Sequence, residues 1–370
     1  GYPGRLHHGR FMVSGGFLGG CQADGAFWDP GRGRGLPEAV WRCLPGLFTE
    51  SAAIFLVLLR DAKKDNPSMK QLVILSGKGG TGKTSLAAAF AHLAKDGRDP
   101  IQAVLADADV DAANLKLVLR PERIETHDFT GGSVAVIDLE RCQGCGVCEQ
   151  VCRFDAILCA PEGYRVDPIA CDGCAACVYQ CPEEAISMQP QTAGRWYRSE
   201  SRYGPLFHAD LFPAQENSGK LVTLVKQNAR LLALDTNCQV VIVDGPPGIG
   251  CPVIAAAAGA HLALIITEPS VAGIHDLSRA LGTTSHFRIP ALVVINKADI
   301  YPEGASQIEA VCAELGVEII GRIPFDPAVT EAMIHGEPVT VYQPASPASQ
   351  AVIAIWQNLS ARLNECGENP

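Results

Sequence analysis

No apolar run in this chain approaches the roughly 20 residues that a membrane-spanning helix needs. The longest, Ala52–Leu59, has eight residues, which argues against a simple helical span. Positive charge is also in deficit: 30 Lys and Arg stand against 40 Asp and Glu, for a net charge of −10 and a pI near 5.4. Bulk charge of that sign does not fit a nucleic-acid binder. Charged residues make up only 19% and hydrophobic ones 47%, so general disorder is excluded and a packed core is well supplied. A length of 370 residues suggests two or three domains. Cysteine is too dilute for a small disulfide scaffold, with 15 in the whole chain, yet abundant for a cytosolic enzyme. Eight of those cysteines fall between Cys142 and Cys181, and that clustering gives the sequence its character.

Residues 1–36 are rich in Gly and Arg and show no helical or strand periodicity. Residues 1–68 carry eight basic and six acidic side chains, unlike the acidic remainder. Met69 stands directly before a strand-like run, so the expectation is that 1–68 is a non-native extension or a poorly ordered arm. Its apolar stretch lies deep and is followed by Arg60, Lys63 and Lys64, which does not fit a secretory signal; a cytoplasmic location is expected. From Met69 onward, short apolar runs alternate with amphipathic helices. Leu72–Leu75, Ile101–Ala106, Val240–Val243, Leu262–Ile266, Ala291–Ile295 and Val317–Ile320 read as strands. Thr84–Lys95, Gly219–Leu234, Ala305–Leu315 and Ala351–Glu365 read as helices. Strands apolar on both sides and separated by helices predict a mostly parallel sheet covered on both faces, an α/β fold. Residues 131–190 break the rhythm and hold all eight clustered cysteines. The expected organisation is therefore an α/β domain over 69–130 and 191–370, interrupted by an insert over 131–190.

Gly77-Lys78-Gly79-Gly80-Thr81-Gly82-Lys83-Thr84 satisfies the G-x-x-x-x-G-K-[ST] pattern between a strand and a helix. Its glycines allow backbone N–H groups to turn towards phosphate oxygens at a helix N-terminus. In that pattern Lys83 contacts the β- and γ-phosphates and the Thr84 hydroxyl binds Mg²⁺, with Ser85 completing the loop. The second lysine, Lys78, makes the stretch K-G-G-T-G-K-T, which resembles the deviant Walker A motif of the MinD/ParA ATPases and the nitrogenase iron protein. The resemblance implies an α/β P-loop NTPase fold, ATP as the nucleotide, and a sandwich homodimer in which Lys78 reaches the partner's phosphates. Asp107-Ala-Asp109-Val-Asp111-Ala-Ala-Asn114 resembles that family's switch I, with Asp107 positioning water or Mg²⁺. Val240-Val-Ile-Val-Asp244-Gly-Pro-Pro-Gly248 resembles Walker B and switch II, where Asp244 helps hold Mg²⁺. Asn296-Lys297-Ala298-Asp299 falls where the family binds the base; on its own it also resembles the guanine-reading motif of GTPases. Ile323-Pro324-Phe325-Asp326 resembles the family's next base-side loop and adds Pro324 to the nucleotide site.

Cys142, Cys145, Cys148 and Cys152 spell C-x₂-C-x₂-C-x₃-C, and Cys171, Cys174, Cys177 and Cys181 repeat it, with Pro182 next. The segment has no histidine, and tetrahedral zinc sites usually use two C-x₂₋₄-C pairs or histidines. The double pattern resembles bacterial two-cluster ferredoxins, in which the fourth cysteine of each run ligates the other cluster. It implies a small α+β ferredoxin insert with two [4Fe–4S] clusters, one on Cys142, Cys145, Cys148 and Cys181, the other on Cys171, Cys174, Cys177 and Cys152. Arg153 departs from the proline common in ferredoxins. Cys159 falls outside the pattern, Cys238 and Cys312 read as core positions, and Cys366 as a tail thiol. Cys251, at the start of a helix after switch II, matches the position of a cluster ligand in the nitrogenase iron protein, although no second upstream cysteine completes such a set. Residues 131–190 carry nine acidic and three basic side chains, a balance that would steer the insert to a redox partner with a basic docking face.

Three functions compete. One is an ATPase that couples the nucleotide state of a dimer to electron transfer through two clusters. A second is a cluster-assembly or carrier ATPase like the Mrp branch, and a third is a MinD/ParA-like positioning ATPase with a redox sensor. Permanent four-cysteine ligation favours the first, because a carrier must release its cluster. Val352, Ile353, Trp356, Leu359 and Leu363 form a helical stripe with Arg362 as its only basic neighbour, which predicts a core helix rather than a membrane anchor. Asn217 and Ser218 are candidate helix caps.

Overall fold

The computed structural model describes residues 69–213, 215 and 218–365. The expectations for residues 1–68, Asn217 and Cys366 lie outside the described residues. Eleven strands are present among the described residues, nine of them in one sheet ordered β11-β10-β9-β1-β8-β2-β7-β6-β3. The central strand β1 (Lys70–Ser76) lies between β8 (Val240–Pro247) and β9 (Leu262–Thr267), both parallel to it. β2 (Ala103–Asp107) continues the parallel array on one side; β10 (Ala291–Asn296) and β11 (Glu318–Ile323) continue it on the other. All six strands expected from apolar runs are present.

Alternation along β1 explains the two-faced core. Leu72 and Ile74 point to one side and pack with helix α1 (Lys83–Asp96), the short α2 (Leu115–Leu119) and the C-terminal α11 (Pro347–Glu365). Val73 and Leu75 point to the other, against α5 (Ser218–Asp235) and α6 (Cys251–Ala257). α7 (Val271–His286) and α8 (Pro302–Glu314) close that second face over β9 and β10. In α11, Val352, Ile355, Trp356, Leu359 and Leu363 are buried in the first core, with Ile353 only partly covered. The expected stripe is therefore a core face, centred one step away from Ile353. No helix among the described residues is long and apolar enough to cross a membrane.

The remaining strands follow a different rule. β7 (Gly204–Leu211) pairs parallel with β2, but β6 (Ile186–Ser201) and β3 (Glu122–Ile137) add antiparallel to it. β3 and β6 are 16 residues each and run past the sheet as a two-stranded stalk. The expected borders at 130/131 and 190/191 fall inside these strands, at the register shifts between Phe129 and Gly132. Ala135 and Ile186, in the outer half of the stalk, pack against the cysteine segment. That segment contains α3 (Val147–Val151), the hairpin β4 (Ile157–Ala160) and β5 (Gly163–Val166), and α4 (Ala176–Gln180). α9 (Pro327–His335) and α10 (Val339–Tyr342) link β11 to α11.

Candidate nucleotide and iron–sulfur sites

β1 ends at Ser76 and α1 begins at Lys83, so the loop between them lies at the carboxyl end of the central strands. Gly80 and Gly82 take left-handed φ values of 76° and 98°, conformations that glycine adopts without steric cost. A side chain at Gly79 or Gly80 would meet nothing within 4 Å, so both face open space. Gly82 is closed off: a Cβ there would lie 2.6 Å from Asn296 Nδ2. Asn296 Nδ2 donates to Thr81 O at 2.7 Å, and the first residue of the expected base site thus fastens the phosphate loop.

Lys83 is buried and donates to Ser76 Oγ at 2.7 Å, while Ser76 Oγ donates to Lys78 O at 2.7 Å. Burial lowers the Lys83 pKa, with Asp244 and Asp109 pulling the other way. β2 and β8 bring Asp107 and Asp244 opposite each other in register. Asp107 accepts from the N–H groups of Asp109 (3.2 Å) and Leu115 (3.0 Å). Its carboxyl is raised well above the usual range, by burial first and by Asp244 next. Asp244 is 1% exposed, and neither of its oxygens has a hydrogen-bond partner within range. Burial pushes its carboxyl up to about 7, against the nearby Thr84 hydroxyl and Lys83. An unpartnered buried carboxylate beside a threonine hydroxyl fits a hard divalent cation; Asp244 and Thr84 are the residues that would hold Mg²⁺. Asp109 is half-buried with its carboxyl raised by burial, while Asp111 is exposed. Ser85 Oγ donates to Met333 Sδ at 3.0 Å.

The base-side residues are braced rather than free. Asp299 Oδ1 accepts from Phe325 N at 2.6 Å and Ala298 N donates to Ile323 O at 3.0 Å, so Asn296–Asp299 and the Pro324 turn form one unit. Lys297 Nζ reaches Glu268 Oε2 at 3.2 Å, and the same carboxylate pairs with Lys78. Lys78 also donates to Ser270 Oγ at 3.5 Å. Glu268 is held below the usual carboxylate range: burial opposes this, and the hydrogen bonds from Lys78 and Lys297 outweigh it. Sequence reasoning missed Glu268, Ser270 and Ser76. Glu268 and Ser270 lie some 190 residues from the lysine they hold, and no local pattern marks them.

The eight cysteines divide between two cavities. Cys142, Cys145, Cys148 and Cys181 line one, with Tyr164 and Ile186. Cys152, Cys171, Cys174 and Cys177 line the other, with Ala135, Ile157 and Val166. Each fourth cysteine is thus on the cavity of the opposite run. The two runs repeat one backbone pattern 29 residues apart. Gly144, Gly146 and Asp155 have φ of 68°, 77° and 51°; Gly173, Ala175 and Glu184 have 73°, 59° and 48°. Ala156 N donates to Cys152 Sγ at 3.4 Å, and Ala185 N to Cys181 Sγ at 3.3 Å. Such N–H···S bonds favour a thiolate. Cys148 and Cys177 are buried in the segment's small core. Among the described residues no group of three or more His, Cys, Asp or Glu converges on a single-ion site; a cubane instead offers each thiolate its own iron. Two quartets of thiols on two cavities fit two [4Fe–4S] clusters as their holding residues. Cys159 is exposed on β4, Cys238 and Cys312 are buried as expected, and Cys251 is exposed at the start of α6.

Residues 72–339 match the CobQ/CobB/MinD/ParA nucleotide binding domain. An uncharacterized protein of Methanocaldococcus jannaschii is 33% identical over 256 residues, 69% of this chain and 84% of that protein. The iron–sulfur cluster carrier protein of Aquifex aeolicus is 29% identical over 136 residues, 34% of this chain and 37% of the carrier. Among solved structures, the septum site-determining protein MinD of Pyrococcus horikoshii, in complex with Mg-ADP, matches 81% of this chain and all of its own. The TM-score of that match is 0.48, with 17% identity. Since the family match spans well over half of the residues, this chain belongs to the CobQ/CobB/MinD/ParA nucleotide-binding family.

Proposed function

We propose that this protein is an ATPase whose nucleotide state, in a sandwich homodimer, governs electron transfer through two [4Fe–4S] clusters held in a ferredoxin-like insert. The observation that carries this reading is the division of eight cysteines between two cavities, in a segment joined to the nucleotide-binding sheet by the unbroken strands β3 and β6. Bound Mg²⁺ neutralises phosphate charge, and the clusters supply one-electron chemistry. The chain's own residues do the rest. Lys83 leaves Ser76 for the phosphates, Thr84 and Asp244 hold the metal's ligand positions, and Asp107 orients water. Lys78 exchanges Glu268 for the partner's nucleotide. ATP is favoured over GTP by the Lys78 pattern.

The test is anaerobic. Cluster potentials are titrated by electron paramagnetic resonance on the iron-loaded chain, with and without ATP·Mg²⁺, and again with Lys83→Ala. A nucleotide-dependent shift in potential or electron-transfer rate that vanishes in the variant supports the reading. Identical behaviour with and without nucleotide overturns it.

Cluster carriage is the second reading, favoured by the 28–29% identity to iron–sulfur cluster carrier proteins over about a third of the chain. It predicts cluster transfer to an apo-acceptor on hydrolysis. The electron-transfer reading predicts retention, since the buried Cys148 and Cys177 are part of a core.

Charge in the insert is uneven. Glu183 lines the Cys142 cavity, where Glu149 also accepts from Tyr164 and Glu184 pairs with Arg141, whereas Asp172 is the one charged residue lining the Cys171 cavity. A redox partner with a basic face would therefore dock at the Cys142 end.

Glu268→Gln weakens the intramolecular hold on Lys78, and with it the ion pair to Lys297. The sandwich dimer is expected to form at several-fold lower ATP concentration in sedimentation velocity. A variant that dimerises less readily than the parent would contradict the exchange of partners by Lys78.

A further inference from the structure

Lys226 of α5 is buried, and all three of its ammonium contacts are main-chain carbonyls: Ala255 and Ala258 at 2.5 Å and Ala256 at 3.2 Å. These lie at the carboxyl end of α6, where four carbonyls lack intrahelical donors and the helix dipole is negative. The cation thus caps a neighbouring helix. The other end of the pair is at ordinary van der Waals range. Gly219, in the first turn of α5, packs on Cys251, whose carbonyl would lie 3.6 Å from a Cβ there. α6 begins directly after Gly245–Gly250, the switch II segment, so α5 and α6 are joined at both ends of α6.

The described residues that precede α5 reach the cysteine segment. Leu211 N donates to Val110 O of switch I at 3.0 Å, and Phe212 N donates to Ala193 O of β6 at 2.8 Å. Gln215 then lines a cavity with Ser133, Gln191, Cys171 and Asp172. Gly173 lies against the same stalk, since a Cβ there would meet Ser133 O at 2.4 Å. The Cys171 quartet is therefore the one seated at the root of the stalk. The Cys142 quartet lies towards Ile186, farther along it.

We infer that Lys226 is a positioning residue that makes α5 and α6 one body, so that a displacement of switch II is delivered to the Cys171 side of the insert and not to the Cys142 side. This rests on the coupling proposed above. The ammonium is a polar link in the route that one substitution removes without touching phosphate, metal or cysteine ligands, beside the apolar packing of Leu221, Val222 and Val225 with Val253. Rigid helices carry displacement well when they are held along their contact, and the Lys226 cap and the packing of Leu221, Val222 and Val225 on Val253 supply that hold.

The experiment is hydrogen exchange on the iron-loaded full chain, with and without a non-hydrolysable ATP analogue and Mg²⁺. In the parent, exchange at 168–174 is expected to slow roughly tenfold on nucleotide binding, with little change at 142–148. Lys226→Met is expected to keep the response at 245–250 and to lose that at 168–174; Lys226→Arg is expected to restore it. Lys226→Gln, which retains an amide donor, serves if the methionine variant does not fold. A methionine or glutamine variant that keeps the full response at 168–174 overturns the role of Lys226 alone. A parent chain with no response at 168–174, despite a response at 245–250, overturns the coupling itself.

Discussion

Asp244→Asn is expected to reduce Mg²⁺-supported ATP hydrolysis by roughly a hundredfold or more, while raising the thermal midpoint of the nucleotide-free chain at neutral pH. Both effects come from one carboxylate. Its two oxygens are buried without partners, with Asp107 opposite them in register. Burial pushes the Asp244 carboxyl up from 3.8 to about 7. A carboxyl whose folded pKa is raised keeps its proton in the native state after the unfolded chain has lost it. Stability is therefore fully present below pH 3.8 and falls as pH rises through about 7. The asparagine, nearly the same shape and uncharged, does not incur that loss. The gap in thermal midpoint should thus be small at pH 4 and widest at pH 8.

Mg²⁺ binding runs the opposite way with pH, because the metal needs the ionised form. Calorimetry of Mg²⁺·nucleotide binding in buffers of different ionisation enthalpy should record proton release near pH 6 and little at pH 8. Asp244→Asn should abolish that release. A variant that hydrolyses ATP with undiminished Mg²⁺ dependence, or melts below the parent at pH 8, would remove Asp244 from its assigned place.

The parts of this fold that were legible in the sequence are those where one physical demand dominates. Val240–Val243 and Leu262–Ile266 are apolar on both faces because helices cover both, and such runs are hard to mistake. β3 and β6 obey no such demand. β3 is an edge strand, largely exposed through Glu122–Asp128, and β6 contains Pro190 and Gly194, both poor strand residues. β7 follows a turn at Arg202-Tyr203, which carries no Asn-Gly or Asp-Gly signal. The helical pattern begins at Ala305 and Ala351, whereas the helices begin at Pro302 and Pro347, in first turns where proline costs no hydrogen bond. At the nucleotide site, Lys83 and Thr84 are expected from the spacing of the loop, and Lys78 and Asp244 from the family resemblance. Glu268, which pairs with Lys78, and Asn296's grip on Thr81 depend on strand order, and strand order is not written locally.

The second large effect concerns iron. The parent chain, reconstituted anaerobically, should hold about eight irons with matching acid-labile sulfide. Cys148→Ser and Cys177→Ser should each leave about four, because each removes a buried member of a different quartet. Cys159→Ser should change nothing, since Cys159 is exposed on β4 and lines neither cavity. The crossed quartets make a sharper demand: Cys152→Ser should abolish the same paramagnetic signal as Cys177→Ser, although Cys152 lies nearer Cys148 in sequence. If it instead matches Cys148→Ser, the division of ligands between the cavities is wrong. Zinc in place of iron and sulfide would dismiss the clusters altogether.

Removing both clusters should also separate the stability of the insert from that of the nucleotide-binding sheet. The buried core of the insert consists of Ala135, Cys148, Ile157, Cys177 and Ile186, with partly covered neighbours. So small a core cannot offset the conformational entropy of ordering the segment on its own. Two of its five members are cysteines, and burial raises both thiol pKa values, so the free segment has little to hold it together beyond the stalk. Metal binding is then folding free energy for residues 138–185. Iron chelation should expose the amides of β4 and β5 to exchange while those of β1 and β8 stay protected. Equal protection of β4 and β5 with and without iron would mean that the stalk alone folds the insert, and that its cysteines are not what orders it.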